Sequence, residues 1–125
     1  MGDELIEVYR PYWAAGEHDG LWPHSIHSQK YANSLIVKRG PGKLYGFQGY
    51  NSGAAQFILV LDAQDVPADG SIPCFPIAVG ATSNFSAFFG DTGRTFQTGI
   101  VLVNSSTAPT KTIGAADCFF DAQYL

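Results

Sequence analysis

Charge is what this sequence has least of. Asp, Glu, Lys and Arg make up 14% of its 125 residues, against about 25% in an average globular chain. Cations thin out further along the chain: from Leu44 onward there are only Arg94 and Lys111, against six aspartates. A surface that grips phosphates needs a basic patch, so the charge pattern argues against DNA or RNA as a partner. The net charge of −4 points the same way. Cysteine is nearly missing. Cys74 and Cys118 have 43 residues between them and no Cys-X-X-Cys pair exists, which removes the familiar zinc spacings. The two read as reduced, buried small hydrophobes, with a disulfide left open. No apolar run approaches the ~20 residues that cross a bilayer. The opening Met1-Gly2-Asp3-Glu4 is acidic, unlike a secretory leader. The expectation is a protein made in a cytosol, with neither membrane nor nucleic acid as partner.

Aromatics, glycine and proline are plentiful: 14% aromatic residues, 14 Gly and 7 Pro. That mixture suits an all-β domain with many turns. Strands are expected at 35–39, 43–51, 55–62, 72–80, 84–90, 95–103 and 116–124, with turn signals about every ten residues, as in a sandwich or jelly roll. The architecture expected is a single jelly-roll-like antiparallel β-sandwich over 35–125, preceded by an extended, aromatic-rich N-terminal arm over 1–34. That arm holds all three histidines, both tryptophans and half of the six tyrosines, with no period of 2 or 3.6. Its aromatics, Tyr9, Tyr12, Trp13, Trp22 and Tyr31, either fold back on the domain or reach a neighbouring subunit, since aromatics are favoured interface anchors.

Two strands break the one-sided alternation of a half-buried sheet. In 55–62, Phe57, Leu59 and Leu61 share one face, while Ile58 and Val60 lie on the other with Gln56 and Asp62. In 95–103, Val101 and Val103 oppose Phe96, Ile100 and Leu102. Both faces therefore need covering, by the arm or by another copy of the chain. Among the turns, Asn51-Ser52-Gly53 reads as a hairpin, and Pro67-Ala68-Asp69-Gly70 combines a fixed φ, an Asx side chain and a glycine suited to positive φ. The order strand, Asn-Ser, strand, Asp-Ala-Gln occurs at 50–64 and again at 103–123.

Chemistry-bearing groups are sparse. His18, His24 and His27 with Glu17 and Asp19 are the metal candidates, but Gly20 and Pro23 argue against the helix that would align them. No Gly-X-Ser-X-Gly elbow is present. GPGKLYG and GDTGRT match neither a Walker loop nor a dinucleotide fingerprint and read as tight turns. Asp62 and Asp121 would form a glycosidase-like carboxylate pair only if their strands were neighbours. Arg94 is expected to pair with Asp91, Asp117 or Asp121, or with an acid on a neighbour. No catalytic residue, metal or cofactor is assigned.

The segments GPGKLYGFQGYNSGAAQFILVLDAQDVPADGSIP (40–73) and GRTFQTGIVLVNSSTAPTKTIGAADCFFDAQYL (93–125) resemble small structural proteins of tailed-bacteriophage virions. The likeness covers roughly residues 40–125 and leaves the arm outside. It implies a non-enzymatic virion protein with a jelly-roll or related fold, assembled in the host bacterial cytoplasm. A capsid decoration or cement protein fits best. Such a protein would self-associate as a homo-oligomer, a trimer among the options, and clamp major capsid subunits through Tyr9, Tyr12, Trp13 and Trp22. The alternative is a glycan- or host-binding module at a head or tail fibre base.

Overall fold

A computed structural model describes residues 23–125. Nine strands, antiparallel wherever they pair, form two sheets, and no helix occurs among the described residues. The first sheet contains β1 (His24–His27), β3 (Gly42–Asn51), β6 (Ser83–Phe88) and β9 (Cys118–Tyr124) in the order β1-β9-β3-β6. A short β7 (Arg94–Phe96) pairs with the beginning of β3. The second sheet contains β2 (Ser34–Lys38), β4 (Gln56–Leu61), β5 (Phe75–Val79) and β8 (Ile100–Ser105) in the order β2-β8-β4-β5. The all-β sandwich expected from the sequence is thus what the chain adopts.

The core between the sheets follows from alternation. Leu44 and Phe47 on β3, Phe85 on β6, and Cys118, Phe120 and Ala122 on β9 face Ile58 and Val60 on β4 and Ile100 and Leu102 on β8. Leu44 and Phe47 are three apart, yet both point inward. A bulge between Leu44 and Gly46 in the pairing with β9 supplies the extra residue. Gly49 also faces inward, and a Cβ there would strike the Phe85 ring and the Phe119 carbonyl.

The second apolar face of β4 and β8 is sealed by the chain itself. Leu59, Leu61, Val101 and Val103 are at most 2% exposed. They pack with Ile36, Phe57, Ala63, Val66, Ala108 and Ile113. Ala63 and Val66 come from the connection after β4, and Ala108 and Ile113 from the connection after β8. This corrects the expectation that the N-terminal arm or a second copy must cover that face. The two covering loops are also tied to each other. Buried Lys111 places Nζ 2.6 Å from Asp69 Oδ1, and the Ile113 N–H donates to the same oxygen at 3.1 Å. Two backbone bonds, Gly70 N–H to Lys111 O and Lys111 N–H to Ser71 O, complete the clasp. Gly70 takes the positive φ expected of it, 93°.

Three local readings change. His24–His27 is a strand, not irregular arm: Ile26 sits opposite Ala122 on β9 and packs on the core. Beyond it, Ser28 and Ala32 bond to the backbone of Phe120 and Cys118. The exposed edge of β9 needed a partner, and four residues with one apolar side chain were enough to supply it. The turn at Asn51-Ser52-Gly53 is a corner between sheets rather than a hairpin, because β3 and β4 belong to different sheets. The expected strand 95–103 is broken at 97–99, where the chain crosses from the first sheet to the second.

Asp62 holds that crossing. Its carboxylate accepts the N–H groups of Gln97, Thr98 and Gly99 at 3.0, 2.8 and 3.2 Å. Desolvation is the largest single influence and raises its pKa, but the three donors together outweigh it and hold it below the ordinary 3.8. A folded-state pKa below the unfolded one stabilises fully above pH 3.8 and fades as pH falls through the lower folded value. Asp62→Ala should therefore cost about 1 kcal/mol at neutral pH, as for a lost cap, and the gap to wild type should close in acid. Urea midpoints recorded against pH check this; a gap unchanged below pH 3 would contradict it.

Candidate functional site

The outer face of the first sheet is a broad surface of the sandwich that the described loops leave open. Strand periodicity sends Gln48 and Tyr50 outward from β3, Asn84, Ser86 and Phe88 from β6, and Phe119, Asp121 and Gln123 from β9. Register aligns them in rows. His27, Asp121, Gln48 and Ser86 follow one another across four strands, and Phe119, Tyr50 and Asn84 form the next row. An open groove of about 560 Å3 runs over these rows, lined by Gln48, Tyr50, Asn84, Ser86, Phe119 and Asp121, with Gly49 and Phe85.

The groove mixes polar and aromatic groups. Asp121 Oδ2 accepts from Gln48 Nε2 at 3.3 Å and from Gln123 Nε2 at 3.1 Å. Phe119 is 39% exposed and stacks on Tyr31, with ring centroids 4.2 Å apart. Phe88 is 69% exposed and lies over Gly46, where a Cβ would meet its ring at 2.6 Å. The lining holds one carboxylate and no lysine or arginine.

A second polar constellation sits inside the sandwich, where the β3–β4 corner meets the start of β9. Asn51 and Asn104, the two asparagines of the Asn-Ser echo, both join it. Asn51 Nδ2 donates to the carbonyls of Ala54 and Gly80, each at 2.9 Å. Gln56 Nε2 lies 2.8 Å from Asn51 Oδ1 and 2.9 Å from Asp117 Oδ1. Asn104 Nδ2 lies within 3.0 Å of Gln56 Oε1, Ala115 O and Asp117 Oδ1. Asn51 and Asp117 flank the first sheet and Gln56 and Asn104 belong to the second, so the network ties one sheet to the other.

Cys118 borders that network. Desolvation first, then the Asp117 charge and hydrogen bond, push its thiol up to about 12. Both cysteines are free, and Cys74 is exposed rather than buried as expected. One thiol per native chain should react with a disulfide reagent at pH 8, and two in denaturant. Fast labelling of both in the native protein would contradict the buried setting of Cys118.

Other sequence candidates are separated by the fold. Asp62 follows β4 in the second sheet, while Asp121 lies on β9 in the first, so they share no face and form no carboxylate pair. Arg94 lies over the Phe75 ring at 5.2 Å from its centroid, a cation–π contact, and makes no ion pair among the described residues. His24 and His27 point to opposite faces, because residues three apart in a strand without a bulge do so. His24 packs on Tyr124 at 5.5 Å between centroids, and His27 faces Asp121 across the strand pair. The expected partner contacts Tyr9, Tyr12, Trp13 and Trp22, and the metal candidates Glu17, His18 and Asp19, lie outside the described residues.

Of the groove residues, the sequence reading had singled out Asp121 alone. The signal for those on β3 and β9 is present in the alternations FQGYN and CFFDAQ, whose outward positions include Gln48, Tyr50, Phe119 and Asp121. It becomes legible only once β3 and β9 are known to be neighbours. No family model matches the chain, and neither the curated proteins nor the solved structures contain a match to it.

Proposed function

We propose that the chain is a non-enzymatic structural protein of a phage particle, a decoration or cement subunit held on the capsid through its N-terminal aromatics. The observation that carries this reading is a sandwich closed by its own loops, with the carboxylates of Asp62, Asp69 and Asp117 committed to holding it shut. Asp62 caps the sheet crossing, Asp69 and Lys111 clasp the covering loops, and Asp117 anchors the buried amides. Such a module is a rigid platform rather than a reaction centre. The strand order supports the reading too: β1-β9-β3-β6 against β2-β8-β4-β5 fits the jelly roll proposed here, an architecture that serves viral capsid and lectin domains. The resemblance of residues 40–125 to tailed-phage structural proteins points the same way.

In this reading the capsid subunits and sister copies of the chain are the partners. Self-association does not run through the outer face of β4 and β8, which the covering loops already occupy. Tyr9, Tyr12, Trp13 and Trp22 form the clamp, and many modest contacts gain strength from repetition over a symmetric shell. The test is labelling of purified particles with an antibody raised against the sandwich. Surface label at regular sites is expected, and particles free of the protein would overturn the assignment. A chain cut before Pro23 keeps β1, so residues 23–125 should fold and fail to bind particles that the full chain decorates.

A further inference from the structure

We propose that the groove across β6, β3 and β9 binds a neutral saccharide. Three properties of its lining select that chemistry. First, hydrogen-bonding groups sit side by side: the planar Gln48 and Asn84 amides and Asp121 carboxylate, and the Ser86 hydroxyl. Each offers donors or acceptors to a hydroxyl, which itself both donates and accepts. Second, Tyr50 and Phe119 stand in the row next to Asp121 and Gln48, and Tyr31 backs Phe119. Aromatic rings beside polar groups suit a ligand with C–H faces and hydroxyl edges. Third, the lining has no cation, and its one charge is negative. Phosphate groups and acidic sugars would meet repulsion there without a counter-charge.

An apolar partner fits less well. It would strip water from the amides, the hydroxyl and the carboxylate without replacing their hydrogen bonds, at about 1–3 kcal/mol for each group left unpaired. The volume of about 560 Å3 lies within the range of about 300–1,000 Å3 common to small-ligand sites. Because the groove is open, affinity should be weak, with Kd on the order of 0.1–1 mM. This inference stands apart from the particle assignment: it concerns what the exposed sheet recognises, whatever the module is mounted on.

Titrating the isotope-labelled full chain with maltotriose, cellotriose, chitotriose, lactose and 3′-sialyllactose, followed by NMR, tests it. At least one neutral sugar should give saturable shifts confined to β3, β6 and β9 at the groove. Phe119→Ala and Asp121→Asn should each weaken that binding about tenfold, the loss expected for a contact of about 1.4 kcal/mol. Their remaining spectra should be unchanged, since both side chains point away from the core. Sialyllactose should bind no better than lactose. The proposal falls if no neutral sugar shifts the groove, if sialyllactose binds more tightly than lactose, or if the variants bind as wild type. It also falls if removing residues 1–22 shifts the groove resonances without sugar, because the chain would then be filling its own groove. Failure here leaves particle labelling unaffected, so the two readings are judged separately.

Discussion

Leu59→Ala should cost about 3 kcal/mol of stability, within the 2–5 kcal/mol typical of a buried leucine truncation, and the loss should be independent of protein concentration. Leu59 is fully buried on the outer side of β4, where an isolated sandwich has no second sheet to offer. Its cover comes from Val66 and Ala63 on one loop and from Ala108 and Ile113 on another. If those loops are the cover, urea midpoints of the variant and of wild type should hold constant over a hundredfold dilution. If another copy were the cover, both midpoints would rise with concentration by mass action. Ile113→Ala and Val66→Ala act on the covering side and should cost less, about 1 kcal/mol each, because both side chains are already partly exposed.

The same strands show how far the sequence could be read. QFILVL announces that β4 is apolar on both faces, and the alternation assigns each residue to its face correctly. What covers the outer face was not legible, because the cover is made of isolated residues in irregular loops. Val66 stands among Asp65, Pro67 and Asp69, and Ile113 among threonine, lysine and glycine; neither carries a periodicity that would reveal it. Their positions depend on the Asp69–Lys111 clasp, which joins residues 42 apart. Turn chemistry was legible where one residue decides it, as at Gly70. It misled at Asn51-Ser52-Gly53, because turn residues alone do not say whether the next strand pairs with the last or crosses to the other sheet. The 95–103 run failed for a related reason. Its β-propensity is continuous, while its crossing is imposed by a carboxylate 35 to 37 residues away at Asp62.

A long-range bond likewise fixes the candidate surface. Asp121 and Gln48 meet across 73 residues, and only the pairing of β3 with both β9 and β6 turns their outward side chains into one groove. The residues themselves were ordinary strand residues until the register placed them together.

The buried amide network predicts a comparable loss of stability with a different signature. Asn104→Ala removes the donor that faces Gln56 Oε1, Ala115 O and Asp117 Oδ1 at 3.0, 2.8 and 2.9 Å. Two hydrogens serve these three acceptors, and each acceptor left dry costs about 1–3 kcal/mol. One offset exists: Asn104 Oδ1 is buried without a partner, and the substitution removes that burden too. The net expectation is about 3 kcal/mol. Because Gln56 and Asn104 share the Asp117 carboxylate, their losses should not add. Gln56→Ala combined with Asn104→Ala should fall short of the sum by at least about 1 kcal/mol. Additive losses in urea unfolding would mean that the amides act singly rather than as a tie between sheets. Asn104→Asp sharpens the test, since it replaces the donor with a second carboxylate against Asp117. Protonation restores a donor, so the folded state raises the new group's pKa, and the variant should lose stability as pH climbs from 4 to 7. Asn104→Ala has no group to titrate and should show no such slope relative to wild type. An aspartate variant as flat with pH as the alanine variant would place the destabilisation in packing rather than in hydrogen bonding.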